Sequence, residues 1–70
     1  MVRTKSKEPI NAGRIRMLMA QKGLSNTALA AMTYYGESTV RVAIRKGEMT
    51  DEMIVAVAEA LGVDVREIMA

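Results

Sequence analysis

The stretch "SNTALAAMTYYGESTVRVAIRKG", residues 25–47, predicts two short helices that pack crosswise on either side of a tight turn. Leu29 on the first helix and Val40 on the second are apolar residues that can anchor both helices to a core. Ala30 is small enough to let the two helices cross closely. Gly47 ends the second helix, because glycine takes the left-handed conformation of a helix terminus at little cost.

The flanking sequence divides into further short helices at glycines and capping residues. Gly23 and Gly62 are expected helix ends, and Ser25 and Thr50 are expected N-caps for the helices that follow them. Between these boundaries, apolar residues recur at helical spacing and predict the faces that meet the core. These residues are Ile15, Leu18 and Met19 in the first helix and Ile54, Val57, Ala58 and Leu61 in the fourth.

The C-terminal segment predicts one more helix, because Asp64 with Glu67 three residues later forms a capping-box pattern. The segment "STVRVAI", residues 38–44, is rich in β-branched residues and is the one alternative strand, but it has no evident partner strand. We therefore expect an all-α fold of five short helices packed on one core over residues 9–70, preceded by a flexible basic arm at residues 1–8. The methionines expected to fill the core are Met17, Met19, Met32, Met53 and Met69.

The composition argues against an enzyme. The 70-residue chain has no Cys and no His, so it lacks the most common general base, thiolate metal ligands and disulfides. Its glycines are isolated at helix ends, and no glycine-rich loop is present to cradle a phosphate. We expect no cofactor and no metal. No apolar run approaches the roughly 20 residues that span a bilayer, and we expect a cytoplasmic protein, bacterial or phage-encoded.

Charge is distributed unevenly along the chain although its net value is only +2. Residues 1–22 carry six basic side chains against one acidic, a balance of +5, whereas residues 51–70 carry one basic against five acidic, a balance of −4. Such a split is typical of a protein that presents one face to a polyanion. The alternative is that solvated helix faces merely differ in charge.

Taken in order, three pieces resemble the Cro and phage-repressor type, or lambda-repressor-like, helix–turn–helix domain. They are "RIRMLMAQKGLSNTALA" (14–30), "STV" (38–40) and "AEALGVDVREIM" (58–69), and the resemblance covers residues 10–69. It implies an all-α domain of five helices that binds a double-stranded DNA operator, usually as a dimer. The second and third helices then form the DNA-binding unit, with the helix around residues 37–46 in the major groove.

Outward-facing polar residues of this unit are the candidate DNA contacts. The expected base-reading residues are Glu37, Ser38 and Arg41, with Arg41 best suited to guanine. The expected contacts to the DNA backbone are Asn26, Thr27, Tyr34, Arg45 and Lys46. The basic arm residues Arg3, Lys5 and Lys7 either follow the DNA backbone or minor groove or have no role.

Glu37 has three roles open, because a carboxylate close to DNA phosphates is electrostatically unfavourable. It can accept a hydrogen bond from a cytosine amino group, or hold Arg41 one turn later. It can also simply favour the first turn of its helix, where the helix dipole stabilises acids.

The turn is where the chain departs most from the resembled family, which commonly has glycine at the position of Tyr34. Either Tyr34 takes the left-handed conformation, at a strain on the order of 1 kcal/mol, or Gly36 does and the turn shifts by two residues. Gly36 is otherwise a permissive N-cap for the next helix. Tyr35 aligns with an apolar residue that plugs the turn into the core. The Tyr34 hydroxyl is expected near the surface, facing a phosphate or solvent.

The leading hypothesis is a small sequence-specific transcriptional regulator, a repressor of phage or mobile-element type. A protein-interaction module on the same fold, such as an antirepressor or antitoxin-like partner, is the alternative that the acidic C-terminal part favours. An architectural DNA binder without sequence preference is a third. A weak homodimer through the C-terminal helices is expected if Val55, Val65, Ile68 and Met69 form an apolar patch with Met53.

Overall fold

The protein is described by a computed structural model over residues 7–70, with four α-helices, a short 3-10 turn and a two-stranded antiparallel sheet. The helices are α1 (Ala12–Lys22), α2 (Asn26–Ala31), α3 (Glu37–Lys46) and α4 (Asp51–Leu61), the 3-10 turn is Val65–Glu67, and the strands are β1 (Lys7–Pro9) and β2 (Glu48–Thr50). The alternative of a strand at residues 38–44 does not hold, since this segment lies wholly within α3, as the predicted helix requires.

The prediction of five helices is wrong, because the fifth segment forms only the 3-10 turn. Asp64 caps it by accepting a hydrogen bond from the backbone N–H of Arg66, two residues later, at 2.9 Å. Glu67 does not return to the cap, as a capping box requires, but accepts from the Arg14 guanidinium at 2.6 Å. The last segment is therefore held by α1 and does not continue as an α-helix.

The small sheet was not predicted. β1 pairs with β2 in the register Lys7↔Thr50, Glu8↔Met49 and Pro9↔Glu48. Lys7 and Glu8, which belong to the arm expected at residues 1–8, thus lie in β1. Arg3 and Lys5 lie outside the described residues.

Backbone hydrogen bonds around Ile10 join distant parts of the chain. The Ile10 N–H donates to the Gly47 carbonyl at 2.9 Å, at the end of α3. The Asn11 N–H donates to the Ile68 carbonyl at 2.8 Å, and Ile10 forms an isolated antiparallel bridge with Met69. The two residues between β1 and α1 therefore link the end of α3 to the C-terminal turn.

Every helix contributes buried side chains to one aliphatic core, which also receives Ile10, Met49 and Ile68. Both predicted stripes, that of α1 and that of α4, are buried as expected. The core-filler prediction holds for Met19 and Met53 but is wrong for three methionines. Those with exposed side chains are Met17, Met32 and Met69. None of the helices in residues 7–70 has the length and apolar character that crossing a membrane requires.

Candidate nucleic-acid interface

Helices α2 and α3 pack against each other through small and apolar side chains. Leu29, Ala30 and Val40 are all buried, as predicted from the sequence. The Ser25 hydroxyl oxygen caps α2 by accepting from the Ala28 N–H at 3.1 Å. Satisfying this free N–H stabilises a helix of only six residues, which would be marginal alone.

The turn between these helices places Tyr34 in the left-handed region, with φ at +68°. Gly36 is extended, with φ −72° and ψ 155°, and is the N-cap of α3. Of the two turn conformations considered, the chain therefore adopts the one in which Tyr34 itself is left-handed. Glycine would adopt this conformation without strain. The Tyr34 side chain is fully exposed, whereas Tyr35 is half-buried and packs against the core, as predicted.

Thr33 stabilises this turn and was missed by the sequence analysis. Its buried hydroxyl donates to the Ala30 carbonyl at 3.0 Å and accepts from the Tyr35 N–H at 3.4 Å. One side chain thus links the end of α2 to the residue that anchors the turn. A Thr in a turn sequence was the available signal, since short hydroxyl side chains often bond to nearby backbone.

The outer side of α3 carries the residues predicted to read DNA bases. Glu37, Ser38 and Arg41 are exposed, as is Arg45, a predicted contact to the DNA backbone, while the opposite side of the helix is buried. Gly47 ends the helix with φ at +77°, directly after Lys46. An exposed, largely hydrogen-bonding face on a helix that follows a tight turn has the form required to enter a major groove.

A basic groove lies along one side of α3, between that helix and α1. Its volume is about 590 Å³, and Arg16, Arg41 and Arg45 line it together with Asn26 and the apolar Ile44. We call this set the arginine groove. Arg16 and Arg45 have no ion-pair partner within residues 7–70, so both guanidinium groups remain available to an anion. The guanidinium groups of Arg16 and Arg45, from two helices, suit a phosphate backbone, whereas Arg41 is paired with Glu37 at 3.7 Å.

Arg16 is a candidate DNA contact that the sequence analysis did not single out. Its place two residues after Arg14 on α1 gave no reason to separate the two arginines. In the structure Arg14 pairs with Glu67 at the C-terminal turn, whereas Arg16 lines the arginine groove. The two arginines differ because of how α1 packs beside α3, which the sequence alone does not show.

A second groove follows the other side of α3. It has a volume of about 420 Å³, and Tyr35, Ser38, Val42, Lys46 and Lys7 are among its lining residues. The pairing of β1 with β2 brings Lys7 to this groove, so that Lys7 and Lys46 line the side of α3 opposite the arginine groove. Cationic side chains therefore lie on both sides of the helix, although Glu48 also lines the groove with the two lysines.

The other residues predicted to contact the DNA backbone do not all line the two grooves. Asn26 lines the arginine groove, but Thr27 lies exposed in the first turn of α2 and lines neither groove. Tyr34 extends into solvent from the turn. Within residues 7–70 no cluster of three or more His, Cys, Asp or Glu side chains is suited to a metal ion.

Two crossed helices around a tight turn, with cations on both sides of the second helix, define a helix–turn–helix DNA-binding domain. In agreement, residues 14–70 match the Cro/C1-type HTH DNA-binding domain, and the chain belongs to this family. It is a DNA-binding regulator and not an enzyme.

A solved structure supports the same assignment. The chain is similar to the crystal structure of the restriction-modification controller protein C.AhdI from Aeromonas hydrophila, with a TM-score of 0.71 and 31% sequence identity. The similarity covers 80% of this chain and 86% of the controller protein. No curated protein sequence matches the chain.

Proposed function

We propose that the protein is a sequence-specific transcriptional regulator that inserts α3 into the major groove of a double-stranded operator. The observation that carries this proposal is the arginine groove, which Arg16 on α1 lines together with Arg41 and Arg45 on α3. A basic surface that coincides with the outward helix supports DNA as the partner. An acidic partner protein would not require the basic surface to coincide with α3.

Within this proposal, the exposed side chains of α3 divide into two groups. Ser38 and Arg41 contact base edges, and Glu37 acts on the bases directly or through Arg41. The contacts to phosphates fix the orientation of the domain without reading sequence. They come from Asn26, Thr27, Tyr34, Arg45 and Lys46, from Lys7 of the predicted basic arm, and from Arg16, which lines the arginine groove.

The mode of regulation that we propose is repression, as in phage and mobile-element regulators, because a bound domain blocks access to the DNA it covers. The similarity to C.AhdI favours a second candidate role, the control of restriction–modification genes. Both roles use the same DNA-binding surface and differ only in the genes that lie next to the operator.

A weak homodimer through the C-terminal elements remains part of the proposal, since paired half-sites lengthen the sequence that is read. The expected apolar patch is smaller than predicted, because Met53 and Ile68 are buried in the core. Val55 and Met69 are its exposed members. Sedimentation analysis with and without operator DNA tests whether two copies associate.

Selection of binding sites from a random duplex pool at low salt tests the function itself. We expect enrichment of one motif. Binding without enrichment would indicate an architectural DNA binder. If titration with duplex DNA leaves the NMR shifts of α3 unchanged, the proposal is wrong and the protein-interaction module is favoured.

A further inference from the structure

The second groove, on the side of α3 away from the arginine groove, is a concave site of the size that small ligands occupy. α3 and the turn before it supply one wall, and β1, β2 and the first turn of α4 supply the rest. Its volume of about 420 Å³ lies within the range of roughly 300–1,000 Å³ that is usual for ligand pockets. The chain therefore has room for a small molecule beside the helix that the proposed function places in DNA.

Apolar side chains form the inner part of this groove. Tyr35, Val42 and Ala43 line it and are half-buried, so each keeps some apolar surface accessible. Met49 and Met53 also line it and belong to the buried core. A DNA phosphate gains nothing from apolar surface, so contacts to the DNA backbone do not account for this part of the groove.

Charged side chains give the groove a preference for an anion. Lys7 and Lys46 are exposed, and neither has an ion-pair partner within residues 7–70. Glu48 lines the groove with them and likewise forms no ion pair in this part of the chain. Two lysines against one glutamate leave a balance of +1, which suits a ligand with a single negative charge. The Glu48 carboxylate would repel a second one.

The positions of Tyr35 and Lys46 indicate the form of such a ligand. Tyr35 lies just before α3 and Lys46 is the last residue of that helix, so the two are at opposite ends of the groove wall. Long side chains on a helix lean towards its N-terminus, which brings the Lys46 ammonium closer to the ring. An aromatic ligand can pack against Tyr35 in an offset or edge-to-face arrangement, with its acid group directed towards the lysines.

We propose that the second groove binds a small aromatic carboxylic acid, whose carboxylate pairs with Lys46 and Lys7 while its ring packs against Tyr35 and Val42. The ligand would lie beside Ser38 and Lys46, two residues of the proposed DNA-binding surface, and would compete with DNA. The binding site does not depend on the proposed function; only the competition rests on it.

NMR titration of the protein with cinnamate, in the absence of DNA, tests the site. We expect saturable shifts of the backbone amides of Val42 and Ala43, with a dissociation constant on the order of 1 mM, typical of so small a ligand. Cinnamamide has the same ring without the charge and should bind about tenfold more weakly, because two exposed ion pairs are lost. Acetate has the charge without the ring and should produce no saturable shift there.

Three lysine variants locate the charge contacts. Lys46→Gln and Lys7→Gln each remove one cation from the groove, and each should weaken cinnamate binding about threefold. Lys22→Gln is the matched control, because Lys22 is an exposed lysine at the end of α1 that lines neither groove. All three changes are at exposed side chains and are expected to leave the fold intact, which thermal unfolding verifies.

Competition is measured with the duplex enriched by binding-site selection. Cinnamate at about ten times its dissociation constant should weaken duplex binding about elevenfold, the factor for simple competition at one site. The same concentration of acetate corrects for ionic strength, which itself weakens DNA binding.

The outcomes separate this inference from the proposed function. The inference is overturned if cinnamate produces no saturable shifts in the groove, if cinnamamide binds as tightly, or if neither lysine variant weakens binding. If cinnamate binds there but leaves duplex affinity unchanged, the competition is overturned. A protein that binds cinnamate in the groove but binds no duplex would support the site and contradict the proposed function.

Discussion

The guanidinium of Arg41 lies 3.7 Å from the carboxylate of Glu37, one turn earlier on the exposed side of α3. The two side chains form an i,i+4 ion pair with the acid on the N-terminal side, the more favourable order on a helix. Of the three roles open to Glu37, this geometry supports the one in which it holds Arg41. The Glu37 carboxylate also places a negative charge on a surface that otherwise attracts DNA phosphates.

Replacing Glu37→Gln should therefore tighten binding to unrelated DNA while reducing preference for the selected site. Removing the carboxylate lowers repulsion from every phosphate, but it also releases Arg41 from its fixed direction. Dissociation constants for the selected and an unrelated duplex at one salt concentration measure both effects. Glu59→Gln removes an acid from α4 and is the charge-matched control. Weaker binding to the selected site alone, with unrelated DNA unaffected, would indicate a cytosine contact instead.

Arg41→Ala should remove most sequence preference and leave weak general DNA binding. One bidentate arginine–guanine contact is worth about 1–3 kcal/mol of discrimination, which is roughly a 5- to 150-fold change in the ratio of the two affinities. The same pair of duplexes measures that ratio. Arg66→Ala, at an exposed arginine of the 3-10 turn, should leave it unchanged. A ratio that survives Arg41→Ala contradicts the base-reading role.

Arg16→Ala should weaken binding to all duplexes by a similar factor and reduce its salt dependence. Losing one phosphate contact lowers the slope of log K against log salt by about 0.9. The measurement is a salt titration of binding to both duplexes. Arg14→Ala is the matched control, because Arg14 lies on the same helix but pairs with Glu67. Equal slopes for the two variants would place Arg16 outside the interface.

The features predicted correctly from the sequence depend on neighbouring residues in the chain. Ser25 and Thr50 cap helices as expected, and the left-handed conformation at Tyr34 was one of two conformations that the turn sequence allowed. Each of these is decided within a few residues, where side-chain chemistry and backbone sterics are visible in the sequence.

The features that were missed depend on contacts between distant segments. Strands of three residues are too short to show alternation, and β1 is stabilised by pairing with β2, about forty residues away. The arginine groove likewise requires that α1 pack beside α3, which no local pattern encodes. Glu67 matched a capping box but found a better partner in Arg14, a charged group 53 residues distant.

Asp64 provides a prediction for acid conditions. The hydrogen bond from the Arg66 side chain lowers the pKa of the Asp64 carboxyl below its ordinary value. The unfolded chain therefore binds this proton more readily than the folded one, so the contribution of Asp64 is complete above about pH 4. It is lost as pH falls through the lower, folded-state pKa. An NMR titration of the carboxyl carbon measures the shift, which Arg66→Gln should reduce; an unchanged pKa in that variant would exclude Arg66 as its cause.

Tyr34→Gly should raise the free energy of unfolding. A non-glycine residue in the left-handed region is strained by roughly 1–2 kcal/mol, and glycine loses about 0.5–1 kcal/mol more conformational entropy on folding, which leaves a gain of about 0.5–1 kcal/mol. The fully exposed ring loses no packing on removal. Urea unfolding measures the gain, and Tyr34→Ala, which keeps the strain without the ring, should show none.

DNA affinity of the Tyr34 variants tests the proposed phosphate contact of the Tyr34 hydroxyl. We expect both Tyr34→Gly and Tyr34→Phe to weaken operator binding, because both remove this hydroxyl. If neither does, the phosphate contact is wrong and the strained turn affects stability alone.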